Sequence, residues 1–284
     1  MEPLYESCLE LLTVASGERR CLYQAEGIFE APNWHPENYL IINREGRLYR
    51  CDLSGGGVSP IDTGFAVHCN NDHGISPDGR QLVVSHHSDD DDGQSVLYVL
   101  PVEGGEPRRV TPLAPSYWHG WSPDGRTLAY VGGRTVSADY DIYAIDLDGG
   151  EERRLTSGVG LDDGPEYSPD GRHIYYNSWR SGRMQIWRMN ADGSDPRQLV
   201  ESLHSDWFPH PSPDGSQLVF LRYLEDQGQD HPFGRDVQLI LLELATGEIR
   251  ELTPVFFGGQ GTINVPSWSP DGTQLAFVSY RERD

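Results

Sequence analysis

An all-β fold is predicted by this 284-residue sequence: a ring of six four-stranded antiparallel sheets, closed by pairing of the N-terminal hairpin with the C-terminal strands. Three observations predict it. The tetrapeptide Ser-Pro-Asp-Gly begins at Ser76, Ser122, Ser168, Ser212 and Ser269, so successive copies start 46, 46, 44 and 57 residues apart. A period in this range marks an array of like supersecondary units. A second series of turns alternates with the first, at Ser16-Gly17, Gly55-Gly56, Gly104-Gly105, Gly149-Gly150, Asp192-Gly193 and Thr246-Gly247. The two series are also offset: the chain starts on a turn of the second kind and stops after one of the first.

Each Ser-Pro-Asp-Gly has the chemistry of a tight reversal. Proline presets φ at the first central position, aspartate tolerates the second, and glycine accepts the positive φ that closes the turn. Short apolar runs follow, such as Gln81–Val84 and Gln274–Val278, and read as strands. Trp34-His35-Pro36-Glu37-Asn38 is a degraded sixth copy, with His35 41 residues before Ser76. Six turns of each kind imply six units of four strands, a to d. The first hairpin (Leu9–Val14 and Arg19–Tyr23) is a c–d pair with no a–b pair before it, and Val265–Tyr280 is an a–b pair with nothing after it. Because an isolated hairpin is marginal in water, the two are expected to share one sheet. Residues 1–27 then supply the outer strands of the closing blade. The other blades fall at 28–64, 65–113, 114–158, 159–203 and 204–255, and 256–284 supply the closing blade's inner strands, all one β-propeller domain. Ring closure protects the strand edges.

The repeats Ser-Pro-Asp-Gly-Arg-x-(apolar strand) and Asp146-Leu147-Asp148-Gly149-Gly150-Glu151-Glu152-Arg153-Arg154-Leu155-Thr156 resemble those of TolB-type β-propellers, which are related to WD-repeat arrays. The resemblance covers nearly the whole chain. It implies the propeller alone, without the separate α/β domain of exported TolB proteins, and propellers of this kind host binding proteins and enzymes alike.

Composition narrows the functions. Twenty-two Lys plus Arg, every one an arginine, face 44 Asp plus Glu, a net charge of −22. Such a surface repels nucleic acid and anionic membranes, so neither is expected as a partner, and it also suits a salt-rich medium. The lack of lysine removes Schiff-base and P-loop chemistry. Met1–Glu6 has no basic or apolar leader, which predicts a cytoplasmic protein. Cys8, Cys21, Cys51 and Cys69 form no Cys-x-x-Cys, and a turn at Ser16-Gly17 puts Cys8 and Cys21 out of register, so free thiols are expected.

Strand parity puts the a–b and c–d turns on one face and the b–c and d–a connections on the other. The irregular segments, Ser85–Gln94, Arg134–Asp141, Ser178–Arg183 and Tyr223–Asp236, lie on the second face, where function is expected. So do the runs into strand a, which place Asp72, His73, Trp118, His119, Asp162, Asp163, Asp206, Trp207 and His210 around one mouth of the central channel. Three readings compete for this ring. The residues hold loop backbones and seal sheets. They form a pocket for a small polar ligand, a carbohydrate or a peptide, or for a protein partner. Or His73, His119 and His210 hold a divalent metal ion. Oligogalacturonate lyases, propellers of similar repeats, use a histidine-bound metal to eliminate across a uronate ring. Similar chemistry here would make a metal-dependent carbohydrate-active enzyme, with Arg180 or Arg222 reaching an anionic substrate.

Other motifs carry less. Asp89–Gly93 lacks the alternating ligands of a calcium loop. His86, His87 and His231 are expected to be exposed on b–c connections. No Gly-x-Ser-x-Gly elbow occurs, and Gly258-Gly259-Gln260-Gly261 reads as a loop. The expectation is a ligand- or protein-binding propeller, with the metal-dependent enzyme as the alternative.

Overall fold

The computed structural model describes residues 4–54, 57–134 and 140–283. The Gly55-Gly56 turn and most of the Arg134–Asp141 segment (135–139) lie outside the described residues. No helix is long and apolar enough to cross a membrane.

Six sheets follow one another in chain order. The first full blade comprises β3 (Glu30–Trp34), β4 (Tyr39–Arg44), β5 (Arg47–Asp52) and β6 (Val58–Pro60). The next contains β7 (Cys69–Ile75), β8 (Gln81–Ser88), β9 (Gln94–Pro101) and β10 (Arg108–Arg109). The third has β11 (Ser116–Trp121), β12 (Thr127–Gly133), β13 (Tyr140–Asp146) and β14 (Arg153–Arg154). The fourth has β15 (Asp162–Tyr167), β16 (His173–Ser178), β17 (Gln185–Asn190) and β18 (Arg197–Gln198). The fifth has β19 (Ser205–Pro211), β20 (Gln217–Tyr223), β21 (Phe233–Glu243) and β22 (Ile249–Glu251), and β23 (Phe256–Gly259) adds a further strand on β21. Part of the glycine-rich segment expected as a loop is therefore strand.

The sixth sheet closes the ring. β1 (Leu4–Thr13) lies between β2 (Arg19–Glu26) and β24 (Gln274–Arg283). It pairs with β24 over ten positions, from Leu4 opposite Arg283 to Thr13 opposite Gln274. Its innermost strand is reduced to a single bridge between Trp268 and Leu275. Pro266 has no N–H to offer a ladder, and side chains hold this run instead. Asn33 Nδ2 donates to the Pro266 carbonyl at 2.6 Å, and Ser267 Oγ donates to that of Pro32 at 2.8 Å.

The turns work as their chemistry dictates. In each Ser-Pro-Asp-Gly the serine hydroxyl donates to the aspartate at 2.6–2.7 Å, and the glycine N–H returns to the serine carbonyl at 2.8–2.9 Å. The glycines take φ of 69–73°, as a left-handed closing residue must. In the degraded copy Asn38 takes the glycine's place at φ 62° and donates to the His35 carbonyl at 2.9 Å. The first strands β3, β7, β11, β15 and β19 touch in succession around the channel. The core lies between neighbouring blades, and Trp118 and Trp207, both fully buried, belong to it. Trp118 lies flat where a Cβ on residue 74 would stand 1.7 Å from its ring, which requires Gly74.

One expectation about the cysteines fails. Cys51 and Cys69 are free and buried, but Cys8 and Cys21 are joined in a disulfide. Leu9 pairs with Tyr23 while Glu10 pairs with Cys21, so a bulge at Leu22 moves Cys21 onto the face of Cys8. Simple alternation across the hairpin misses that shift.

Candidate functional site

A cavity of ≈ 420 Å³ opens at the channel mouth on the face of the b–c and d–a connections. Asp72, His119 and Asp163 line it, with Asn71, Tyr117, Asn264, Phe208, His231 and Gln260 among their neighbours. The repeat explains this placement. Asn71, Tyr117, Asp163 and Asn264 each stand five residues before a turn serine and face the channel, whereas Trp207, in the same register before Ser212, packs into the core. Glu30 holds the same register before His35 and accepts a hydrogen bond from Asn71 Nδ2 at 3.3 Å. Burial pushes the Glu30 carboxyl up to about 7, with the Asn71 hydrogen bond opposing and nearby Asp72 adding to the rise.

His119 is the hub. Its Nε2 lies 3.1 Å from Asp163 Oδ1, and its ring stacks on Phe208 at 6.1 Å. Burial alone would draw the imidazole down, but the Asp72 and Asp163 carboxylates override it and hold its pKa above the ordinary value. Asp163 moves the other way. Burial raises it, yet His119, His231 and the Gly164 N–H, which donates at 2.6 Å, hold its pKa below the usual carboxylate value.

Asp72 differs from both. It is 7% exposed, and among the described residues no donor reaches its carboxylate. Burial and the Asp163 charge outweigh the imidazoles of His119, His231 and His87 and push it up to about 6. Arginines line no part of the cavity among the described residues.

The remaining predicted residues lie elsewhere. Asp206, fully buried, is held by Arg222 through two hydrogen bonds of 2.7 and 2.9 Å. Asp162 is held by Arg180 at 2.8 Å, so neither arginine is free to meet an anionic ligand in the cavity. His210 Nδ1 lies 2.5 Å from Glu166 Oε2 and its Nε2 2.6 Å from the Ile263 carbonyl, which bridges three blades. A carbonyl only accepts, so Nε2 carries hydrogen toward Ile263. His73 is buried against the Ile41 carbonyl at 3.4 Å, and burial lowers its pKa to about 4. Trp118 and Trp207 are core. The metal set of His73, His119 and His210 is therefore not assembled. Among the described residues no three His, Cys, Asp or Glu side chains gather in a metal-binding group.

Sequence reasoning also misplaced three histidines. His86 is buried, and its Nδ1 accepts the His68 N–H at 3.2 Å. His87 is partly buried beside the cavity. His231 folds inward from the β20–β21 connection, packs edge-on to Trp207 at 4.6 Å, and places Nε2 3.8 Å from Asp163. The apolar neighbours Trp207 and Phe208 draw it in, and no local spacing announces such a long-range contact.

A six-bladed propeller with a cavity at its channel mouth is thus the class of protein defined. The chain belongs to the TolB β-propeller domain family, whose model matches residues 113–256. It is 49% identical over 276 residues to Atu1656 of Agrobacterium fabrum, an uncharacterised protein, covering 96% of this chain and 92% of that one. A solved structure from Agrobacterium tumefaciens bearing the name TolB superposes with a TM-score of 0.92 at 48% identity, covering 98% and 99% of the two chains. TolB of Acinetobacter baumannii shares the fold at 18% identity and a TM-score of 0.68, over 89% of this chain and 64% of that one. A manganese-bound oligogalacturonate lyase shares the fold alone, at 16% identity and a TM-score of 0.54 over 94% and 70% of the two chains.

Proposed function

We propose that this propeller is a binding module whose channel mouth takes a small polar ligand, a carbohydrate or a short peptide. The observation that supports this most strongly is the cavity around His119. It is lined by carboxylates, imidazoles and amides, with Tyr117, Tyr140 and Phe208 as its aromatic neighbours. Concave sites with a few convergent polar groups are where small molecules bind. Saturation-transfer NMR on the full chain with a panel of mono- and disaccharides and dipeptides tests the reading. Signal transfer that disappears in His119→Ala supports it, and no transfer from any probe overturns it.

A second reading, docking of a protein partner on the same face, is favoured by one feature. Each of the six connections from an outer strand to the next inner strand exposes one large apolar side chain: Ile28, Phe65, Leu113, Val159, Leu203 or Val255. Apolar surface rimmed by polar groups is typical of protein interfaces. A six-fold variant carrying serine at all of these positions should keep its fold and lose any partner retained by the parent chain.

A further inference from the structure

We infer that the ligand of the mouth carries an organic cation, an ammonium or guanidinium group, and that the Asp72 carboxylate is its acceptor. This rests on the reading of the cavity as a binding pocket and names the chemistry that pocket selects.

Three observations converge on it. Asp72 is more than nine-tenths buried, lines the cavity, and receives no hydrogen bond among the described residues. A buried carboxylate left without donors is costly, and a ligand with N–H groups would satisfy it. The lining holds two carboxylates, Asp72 and Asp163, and no arginine, in a chain whose fixed side-chain cations are all arginines. Elsewhere at the channel the same residue type is neutralised by one, as Asp162 is by Arg180 and Asp206 by Arg222. Leaving Asp72 without such a partner keeps one negative charge available at the mouth. The rings of Tyr117 and Tyr140 line the same cavity, and aromatic rings suit a cation as well as an apolar surface. The groups facing Asp72 are His119 and Tyr117 from β11, Asp163 from β15, His87 from β8, His231 from the β20–β21 connection and Glu30 from β3, whose own proton is lost near pH 7. An organic cation competes with protons for this cluster. Its affinity therefore rises with pH as Asp72 loses its proton, over a window around pH 6.

The same chemistry comes from a free amine, an amino sugar, or the lysine or arginine side chain of a peptide. Isothermal titration of the full chain in about 0.15 M salt, where long-range attraction to the acidic surface is screened, separates these sources. The probes are 1,4-diaminobutane, methyl 6-amino-6-deoxyglucoside (an amino sugar still protonated at pH 8) and glycyl-lysyl-glycine amide. Their matched controls are 1,4-butanediol, glucose and succinate. At least one cationic probe should bind at pH 8, at least tenfold more tightly than at pH 5. Asp72→Asn should weaken it at least tenfold at pH 8, while Asp90→Asn, an exposed charge on the same face, should leave it unchanged. Which cationic probe binds identifies the source. Binding of a neutral or anionic control at least as tight as that of every cation overturns the inference and leaves the binding module standing. Silence from every probe overturns both. Cation binding that is independent of pH in the unaltered chain, or equally reduced by Asp90→Asn, also overturns the inference, whether or not the Asp72 variant folds.

Discussion

Asp206 and Asp72 are both buried aspartates on the run into an innermost strand, yet their surroundings are opposite. Asp206 is fully buried with both oxygens taken by Arg222 and one also accepting from Ser202 Oγ at 3.0 Å. Asp72 is nearly as buried and has only the electrostatic company of imidazoles and another carboxylate. The difference follows from register. Asp206 stands six residues before its turn serine and faces Arg222 directly across the β19–β20 ladder. Asp72 stands four before its own, within the irregular stretch between Cys69 and His73, and turns to the channel. Asp206, held across the ladder, serves the fold, whereas Asp72, displaced by a bulge, is left for something else.

The largest effect should come from breaking the ladder pair. Arg222→Met leaves Asp206 as an uncompensated buried charge, and urea unfolding should show a loss of about 3–5 kcal/mol. Removing the unpaired carboxylate should do the reverse. The Asp72 pKa lies higher in the folded chain, at about 6, than the ordinary 3.8, so its contribution to stability is present below pH 4 and lost as pH rises through 6. Asp72→Asn should therefore stabilise the protein at pH 8 by on the order of 2 kcal/mol and have little effect near pH 4. Equal effects at both pH values would show that the charge is not the cause. Glu30→Gln should behave alike, with its window shifted up to about pH 7. Arg180→Met gives the smallest effect. Its side chain is 25% exposed against 13% for Arg222, so water screens the loss and about 1 kcal/mol is expected.

The ring was legible because it depends on turns, and turns are written locally. Pro-Asp-Gly dictates a reversal wherever it occurs, and the offset of two turn series forces head and tail into one sheet. The site was legible only in part because it depends on bulges. The a–b ladders slip between Glu30 and Asn33, Cys69 and His73, Trp118 and Gly120, Asp163 and Glu166, and Trp207 and His210. Of consecutive residues such as Asp72 and His73, the slip decides which meets the channel and which the core. Asp72, His119 and Asp163 came out on the channel side, while His73, Trp118 and Trp207 came out in the packing. Aligning the repeats on the turn serine would have found Asn71, Tyr117 and Asn264, together with Trp207, which packs into the core instead. His231 lies in the Tyr223–Asp236 connection already placed on the functional face, but no local spacing shows that its ring turns inward. The Cys8–Cys21 bond was hidden by the same kind of slip, at Leu22.

The pairing of β1 with β24 also bears on how the molecule is made. The β1–β2 hairpin meets its sheet neighbour only when residues 274–283 have been synthesised. Until then its inner edge has no ladder partner, while the five full blades can form from contacts local in sequence. Contacts spanning nearly the whole chain are slow to form, because the loop they close must first be ordered. Assembly therefore finishes at the seam, and any delay in translating the last strand prolongs the exposure of the first.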